Sequence, residues 1–157
     1  MQTGAWSAIG FPVTSEDARQ SFYQYANWSY QAGVFISRTS GLIFRLSRVQ
    51  LWIPPTLQVL LLIFFCKVAV SHSCFWYDNR LLVPCFGAGL LGGLGYVNAF
   101  RLVAEAHPGP PKEVKELALA AASIGDSIGI VMSDIAGVFV QACIYKENNI
   151  SGAWGTC

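Results

Sequence analysis

The chain has 157 residues, of which 54% are hydrophobic and only 12% charged, with a formal net charge of +1. A soluble domain carries about 25% charge, so there are too few charges here to cover the outside of a water-soluble fold. The near-neutral balance gives no global field directed at nucleic acid or an acidic partner.

Residues 1–15 show no periodicity and read as a lead-in loop with Trp6 at the membrane interface. No basic residue followed by an apolar core marks a secretory signal there. Ser15 followed by Glu16 and Asp17 reads as a helix start. The first helix is predicted at about 16–40, and it is the least apolar of four. At about 100° per residue, Gln20, Gln24, Asn27, Gln31 and Arg38 fall on one narrow face. Amides and a guanidinium in line are costly toward lipid, so that face is expected to meet a bundle interior or a water-filled cavity. The competing reading is a helix lying on the membrane with the stripe in water. Asn27-Trp28-Ser29 matches a glycosylation sequon inside this helix and is expected to stay unused. Residues 39–49 then form a connection with Arg45 and Arg48 and no acidic residue. The positive-inside rule places it in the cytoplasm.

The second helix is predicted at about 51–70, opened or kinked by Pro54 and Pro55. Its stretch 57–65 is almost wholly apolar and reads as the most lipid-facing part, with Trp52 at headgroup level. By alternation, the polar loop 71–80 faces a lumen or the exterior.

The third helix, about 81–105, carries the packing centre, residues 89–100 (GLLGGLGYVNAF). The apolar run 81–103 is ~23 residues, about the length that spans a bilayer. Gly87, Gly89, Gly92, Gly93 and Gly95 would weaken a water-exposed helix by about 1 kcal/mol each relative to alanine. Between membrane helices they let backbones approach closely, and Gly89 and Gly93 form a GxxxG pair. Tyr96, Asn98 and Arg101 supply polar groups near its end. Arg101 and Glu105 are spaced for an ion pair, read as a solvated bridge at the membrane edge.

The breaker run AHPGPP ends that helix. The fourth, about 113–145, exceeds what a ~30 Å core requires. Ala121, Gly125, Gly129, Ser133 and Gly137 recur every four residues as a close-packing seam, and the glycine helix is its natural partner. Beside the seam, Ser123, Asp126, Ser127 and Asp134 form a polar face. Carboxylates at membrane depth are a functional hint. An unpaired one holds a proton more readily, which makes Asp126 a candidate proton or cation carrier; the alternative is a tie to a neighbouring helix. The tail 146–157 is polar. Counting crossings puts it in the lumen, where Asn149 of Asn149-Ile150-Ser151 is a glycosylation candidate.

The five cysteines show no CxxC, and His72 and His107 are far apart, so neither a metal site nor a cofactor is called for. Cys74 and Cys85 flank a loop and could pair in an oxidising lumen; the alternative is free thiols packed as small apolar groups. No Ser-His-Asp or Cys-His arrangement and no phosphate loop is visible. An intramembrane aspartyl protease is disfavoured, because Tyr77-Asp78 lies in a loop and Ser123-Ile124-Gly125-Asp126 lacks the first glycine of the Gly-x-Gly-Asp signature. The chain is therefore not read as an enzyme.

Three strings in this order, residues 30–38 (YQAGVFISR), 90–100 (LLGGLGYVNAF) and 117–130 (LALAAASIGDSIGI), resemble the C-terminal part of the battenin (Batten-disease protein) family. The resemblance covers roughly residues 23–143. It implies an all-α, polytopic membrane bundle, about four helices from the C-terminal half of a major-facilitator-like transporter, in a vacuolar or lysosomal membrane. It also implies transport of solutes such as basic amino acids or glycerophosphodiesters, and a role in pH homeostasis. Gln31, Gly33 and Arg38, then Gly92, Gly93, Tyr96 and Asn98, then Asp126 and Gly129, are the positions it singles out. Asp134 stands where the family pattern suggests a small or apolar residue. The first half of such a transporter is absent, so the chain reads as a fragment whose partners are the lipid bilayer, the remaining half, and a small solute or protons. On this reading Gln31, Arg38, Tyr96, Asn98 and Asp126 line a substrate or proton path, and Gly89, Gly92, Gly93, Gly125 and Gly129 pack helices. The alternative function is a membrane scaffold or trafficking protein without transport of its own.

Overall fold

The computed structural model describes residue 6 and residues 16–39, 45–71, 79–105 and 111–147. The rest of the lead-in, Cys74, His72, His107, the AHPGP residues, Asn149 and the tail beyond 147 lie outside the described residues. Among the described residues there are four long helices: α1 (Glu16–Thr39), α2 (Ile53–Ser71), α3 (Leu82–Ala104) and α4 (Lys112–Glu147). No strand occurs among the described residues.

Local chemistry accounts for the helix ends. Glu16 and Asp17 sit in the first turn of α1 and Arg38 in its last, each sign matched to the helix dipole. A 3-10 turn, Gln50–Trp52, leads into α2. Pro54 and Pro55 fall in its first turn, where missing N–H groups cost nothing, so they open the helix. At the end of α3 the Glu105 N–H closes on the Arg101 carbonyl at 2.8 Å. After the proline run, the Val114 N–H donates to the Pro111 carbonyl at 2.9 Å and starts α4.

Three segments are long and apolar enough to cross a membrane: Gln50–Val70, Leu82–Ala104 and Lys112–Glu147. The amides that stripe α1 keep it out of that set. The chain is thus a helical membrane bundle with three such spans among the described residues, beside a fourth, more polar helix.

The bundle is built around the crossing of α1 with α3. Ser29 Oγ donates to the Leu82 carbonyl at 2.8 Å, and Ser37 Oγ to the Leu90 carbonyl at 2.7 Å. Both bonds join residues 53 apart, so the two helices run parallel in one constant register. Between these bonds the backbones nearly touch. A Cβ on Gly33 would strike the Phe86 carbonyl oxygen and stand 2.9 Å from the Leu90 nitrogen. A Cβ on Gly89 would strike the Tyr30 carbonyl, and one on Gly93 would stand 2.9 Å from the Val34 oxygen. Only glycine fits such a crossing.

This corrects the expected partner of the glycine helix. The α4 seam does not reach it at Gly125 or Gly129, where an added Cβ would meet nothing within 4 Å. Instead α4 joins the others near its C-terminal end. There Ile144 packs into a cluster with Trp6, Ala26, Phe65, Val68, Ala69, Leu81 and Cys85. Trp6 is completely buried, with its ring 5.6 Å from that of Phe65 and 5.8 Å from that of Tyr30, so it is a core residue and not an interfacial anchor. Phe65, also fully buried, shows that α2 has a packed face within the stretch read as lipid-facing. The contacts of Pro54 with Gly95 and of Gln58 with Ala88 run α2 antiparallel to α3.

Cys66 and Cys85 are free thiols, which rules out a Cys74–Cys85 bridge, whereas Cys143 is disulfide-bonded.

Candidate functional site

Because α4 stands away from α1 and α3 over much of its length, an open groove of about 950 Å³ runs between the helices. Four of the five residues expected on a solute path line it. Gln31 and Arg38 come from α1, Tyr96 from α3 and Asp126 from α4. The helical periods place them there. Gln31 and Arg38 are two turns apart on the α1 face adjoining the one that Gly33 and Ser37 press against α3.

Opposite charges therefore share one groove. The Arg38 guanidinium lies 4.4 Å from the centre of the Tyr96 ring, a cation–π contact. The Tyr96 ring is in turn 4.7 Å from that of Phe100. Asp126 is half-buried on the α4 side. Among the described residues neither Arg38 nor Asp126 is in an ion pair. A groove with a guanidinium at one wall and a carboxylate at another, neither in an ion pair among the described residues, can take an anionic group at the first, and a cation or proton at the second.

Asn98 is not in the groove. It is fully buried, and its Oδ1 accepts from the Leu46 N–H at 2.9 Å while its Nδ2 donates to the Leu94 carbonyl at 3.0 Å. Arg101 Nη2 donates to the Leu46 carbonyl at 2.8 Å. Two side chains of α3 thus hold both backbone groups of one loop residue. Arg101 also lies 3.9 Å from Glu105; the arginine side chain is 17% exposed and the glutamate 55%, so the pair is open to solvent on its acidic side.

Two further groove residues are missed by sequence reasoning. Gln58 of α2 lines the groove and donates from Nε2 to the Ala88 carbonyl at 3.1 Å. It is the single amide in an apolar stretch, and that isolation is the signal. Tyr30 lines the groove beside it. Gly92 makes room for both, since a Cβ there would stand 3.0 Å from Gln58 Nε2 and 3.3 Å from the Tyr30 hydroxyl. A second groove of about 620 Å³ shares Tyr30, Gln31 and Gln58 with the first and adds Asn27, Ser133 and Asp134. The polar lining is therefore continuous past Gln31. Gln20 and Gln24, on the same α1 stripe, are exposed and belong to neither groove. Among the described residues no group of three His, Cys, Asp or Glu side chains could hold a metal ion.

The comparisons with known proteins agree with the helical strings. A family model described as CLN3 protein matches residues 2–146. Protein btn1 of Aspergillus fumigatus is 38% identical over 117 residues, covering 73% of this chain and 24% of the relative. Protein BTN1 of Yarrowia lipolytica is 37% identical, covering 81% of this chain and 31% of the relative. Protein BTN1 of Saccharomyces cerevisiae is 31% identical, covering 83% and 33%. The chain thus spans about a quarter to a third of the length of these curated relatives. No solved structure matches. With a family model matched along nearly its whole length and a battenin-like order of helical strings, the chain belongs to the CLN3, or battenin, family of membrane proteins.

Proposed function

We propose that this chain supplies one wall of a solute pathway in a vacuolar or lysosomal membrane. The observation that carries the reading is the shared groove. Gln31, Arg38, Tyr96 and Asp126, from three helices, line one cavity, with Arg38 and Asp126 both outside any ion pair among the described residues. Ionisable groups at membrane depth that are not neutralised by each other are costly unless they serve a ligand or an ion.

In this reading Arg38 receives the carboxylate or phosphate of a solute, and Tyr96 holds the guanidinium in place from one face. Asp126 carries a proton or the cationic end of the solute. Basic amino acids and glycerophosphodiesters, the solutes implied by the battenin resemblance, both bring an anionic group for Arg38. In a protein of the relatives' length, the remaining segments complete the enclosure, and movement between the halves opens the groove to either side in turn. Solute flux coupled to protons would in turn set vacuolar or lysosomal pH.

The test is the Asp126→Asn change made at the matching position of a full-length relative, with solute uptake into proteoliposomes measured under an imposed pH gradient. The expected result is loss of the pH-dependent component of flux. Unchanged flux removes Asp126 from the mechanism. Absence of any flux, together with stable protein partners on crosslinking, would favour a scaffold or trafficking role.

A further inference from the structure

Residues 45–52 are the described part of the connection from α1 to α2, which Ile53 opens, and they are built unlike an ordinary loop. Leu46 is held on both sides of its peptide unit, its N–H by Asn98 and its carbonyl by Arg101. The Ser47 N–H donates to Gln50 Oε1 at 3.0 Å, and the Leu51 N–H returns to the Ser47 carbonyl at 3.0 Å. The segment is therefore a short fixed shelf on the end of α3. Besides the polar Ser47 and Gln50, its exposed side chains are of two kinds. Arg45 and Arg48 are exposed cations. Val49, Trp52 and Ile53 are exposed apolar groups, at 81%, 76% and 52%. No acidic residue occurs anywhere from 38 to 53. The nearest acid at that end of α3 with an assigned partner is Glu105, which faces Arg101.

Water is a poor solvent for Val49, Trp52 and Ile53, and hydrocarbon is a poor one for Arg45 and Arg48. The headgroup layer of a bilayer accommodates both, with tryptophan at its preferred depth. Two arginines beside it add attraction for anionic phosphate, about fivefold in affinity for each cation near the surface. A free phosphate would engage the arginines and leave the apolar side chains unused.

We propose that residues 45–53 are a docking surface for anionic phospholipid headgroups, with Arg45 and Arg48 binding phosphate and Trp52 seated among the acyl-chain roots. Asn98 and Arg101 act as positioning residues, presenting the two arginines from a fixed backbone. The surface lies outside the solute groove apart from Leu51 and Trp52, and its assignment does not depend on transport. It also accounts for Asn98, a residue that the battenin resemblance placed on the pathway and whose two hydrogen bonds are both with backbone.

The test uses the whole 157-residue chain in nanodiscs of phosphatidylcholine containing a minor fraction of phosphatidylserine, followed by extraction and native mass spectrometry of retained lipid. The wild-type protein should retain phosphatidylserine in excess of its bulk fraction. Arg45→Gln with Arg48→Gln should cut that excess at least tenfold. Asn98→Ala, which leaves both arginines in place, should cut it at least threefold. If that variant does not fold, Arg101→Lys keeps the charge while removing the Nη2 bond and serves the same purpose. Retention equal to the bulk fraction in the wild type would overturn the proposal. Loss on mutating the arginines with none on freeing Leu46 would overturn the positioning role. Full displacement of lipid by millimolar inorganic phosphate would show a soluble-phosphate site instead.

Discussion

Helices α3 and α4 carry the same sequence signal and meet different fates. Each repeats glycine and other small residues at four-residue spacing. In α3 the glycines are buried against another backbone, so close to α1 that a Cβ on Gly89 would collide with the Tyr30 carbonyl. In α4 the equivalent stretch at Gly125 and Gly129 meets none of the described residues, and the helix is buried further along, at Gly137, Ala142 and Ile144. Small residues permit approach but do not cause it. Lipid tails are as apolar as leucine, so association in a membrane depends on close packing and hydrogen bonds. The α1–α3 pair has both, with Gly33 set against α3 and Ser29 and Ser37 donating across. The upper part of α4 finds no matching surface on α1, α2 or α3, and the groove is the result.

The contrast can be broken most forcefully at Gly89. Gly89→Ala forces a methyl into main chain that cannot swing aside, and overpacking of this kind costs about 1–3 kcal/mol or more. Thermal melting of the purified protein in detergent should fall by several degrees or lose its cooperative transition. Ser37→Ala, which removes one interhelical donor and creates no clash, is expected to cost about 1 kcal/mol, read on the same melts. Gly125→Ala comes last, leaving the melt unchanged or raising it slightly, since alanine is favoured over glycine in a helix by up to about 1 kcal/mol. If Gly125→Ala in a full-length relative cost as much as Gly89→Ala, the α4 stripe would have a partner supplied by the rest of that protein.

Much of the architecture is legible in the residues themselves. Long apolar runs broken by Pro and Gly mark α2, α3 and the start of α4, and the acidic first turn marks α1. The importance of Gly89 and Gly93 also follows from their spacing. Which helix they meet does not, because a four-residue repeat is equally present on α4, while the deciding feature, Gly33 between two serines, is a single glycine on the least apolar helix. The groove is partly legible for a similar reason. Gln31, Arg38, Tyr96 and Asp126 are polar residues on otherwise apolar helices, and a wheel places each one on a face. Asn98 satisfies the same criterion yet is spent on Leu46, a loop residue whose position no helical period can predict. Trp6 shows the same limit, since its burial against Tyr30 and Phe65 depends on a chain path with no periodic signal.

The choice of partner for α3 is most directly settled by disulfide crosslinking in the membrane, with the free thiols Cys66 and Cys85 replaced by alanine. One double variant is Ser29→Cys with Leu82→Cys, whose parent residues are joined by a 2.8 Å hydrogen bond from Ser29 Oγ to the Leu82 carbonyl. The other is Gly92→Cys with Gly125→Cys. The first pair should crosslink on mild oxidation and the second should not. Crosslinking of the second without the first would place α4, and not α1, against the glycine face, and the groove described above would not exist.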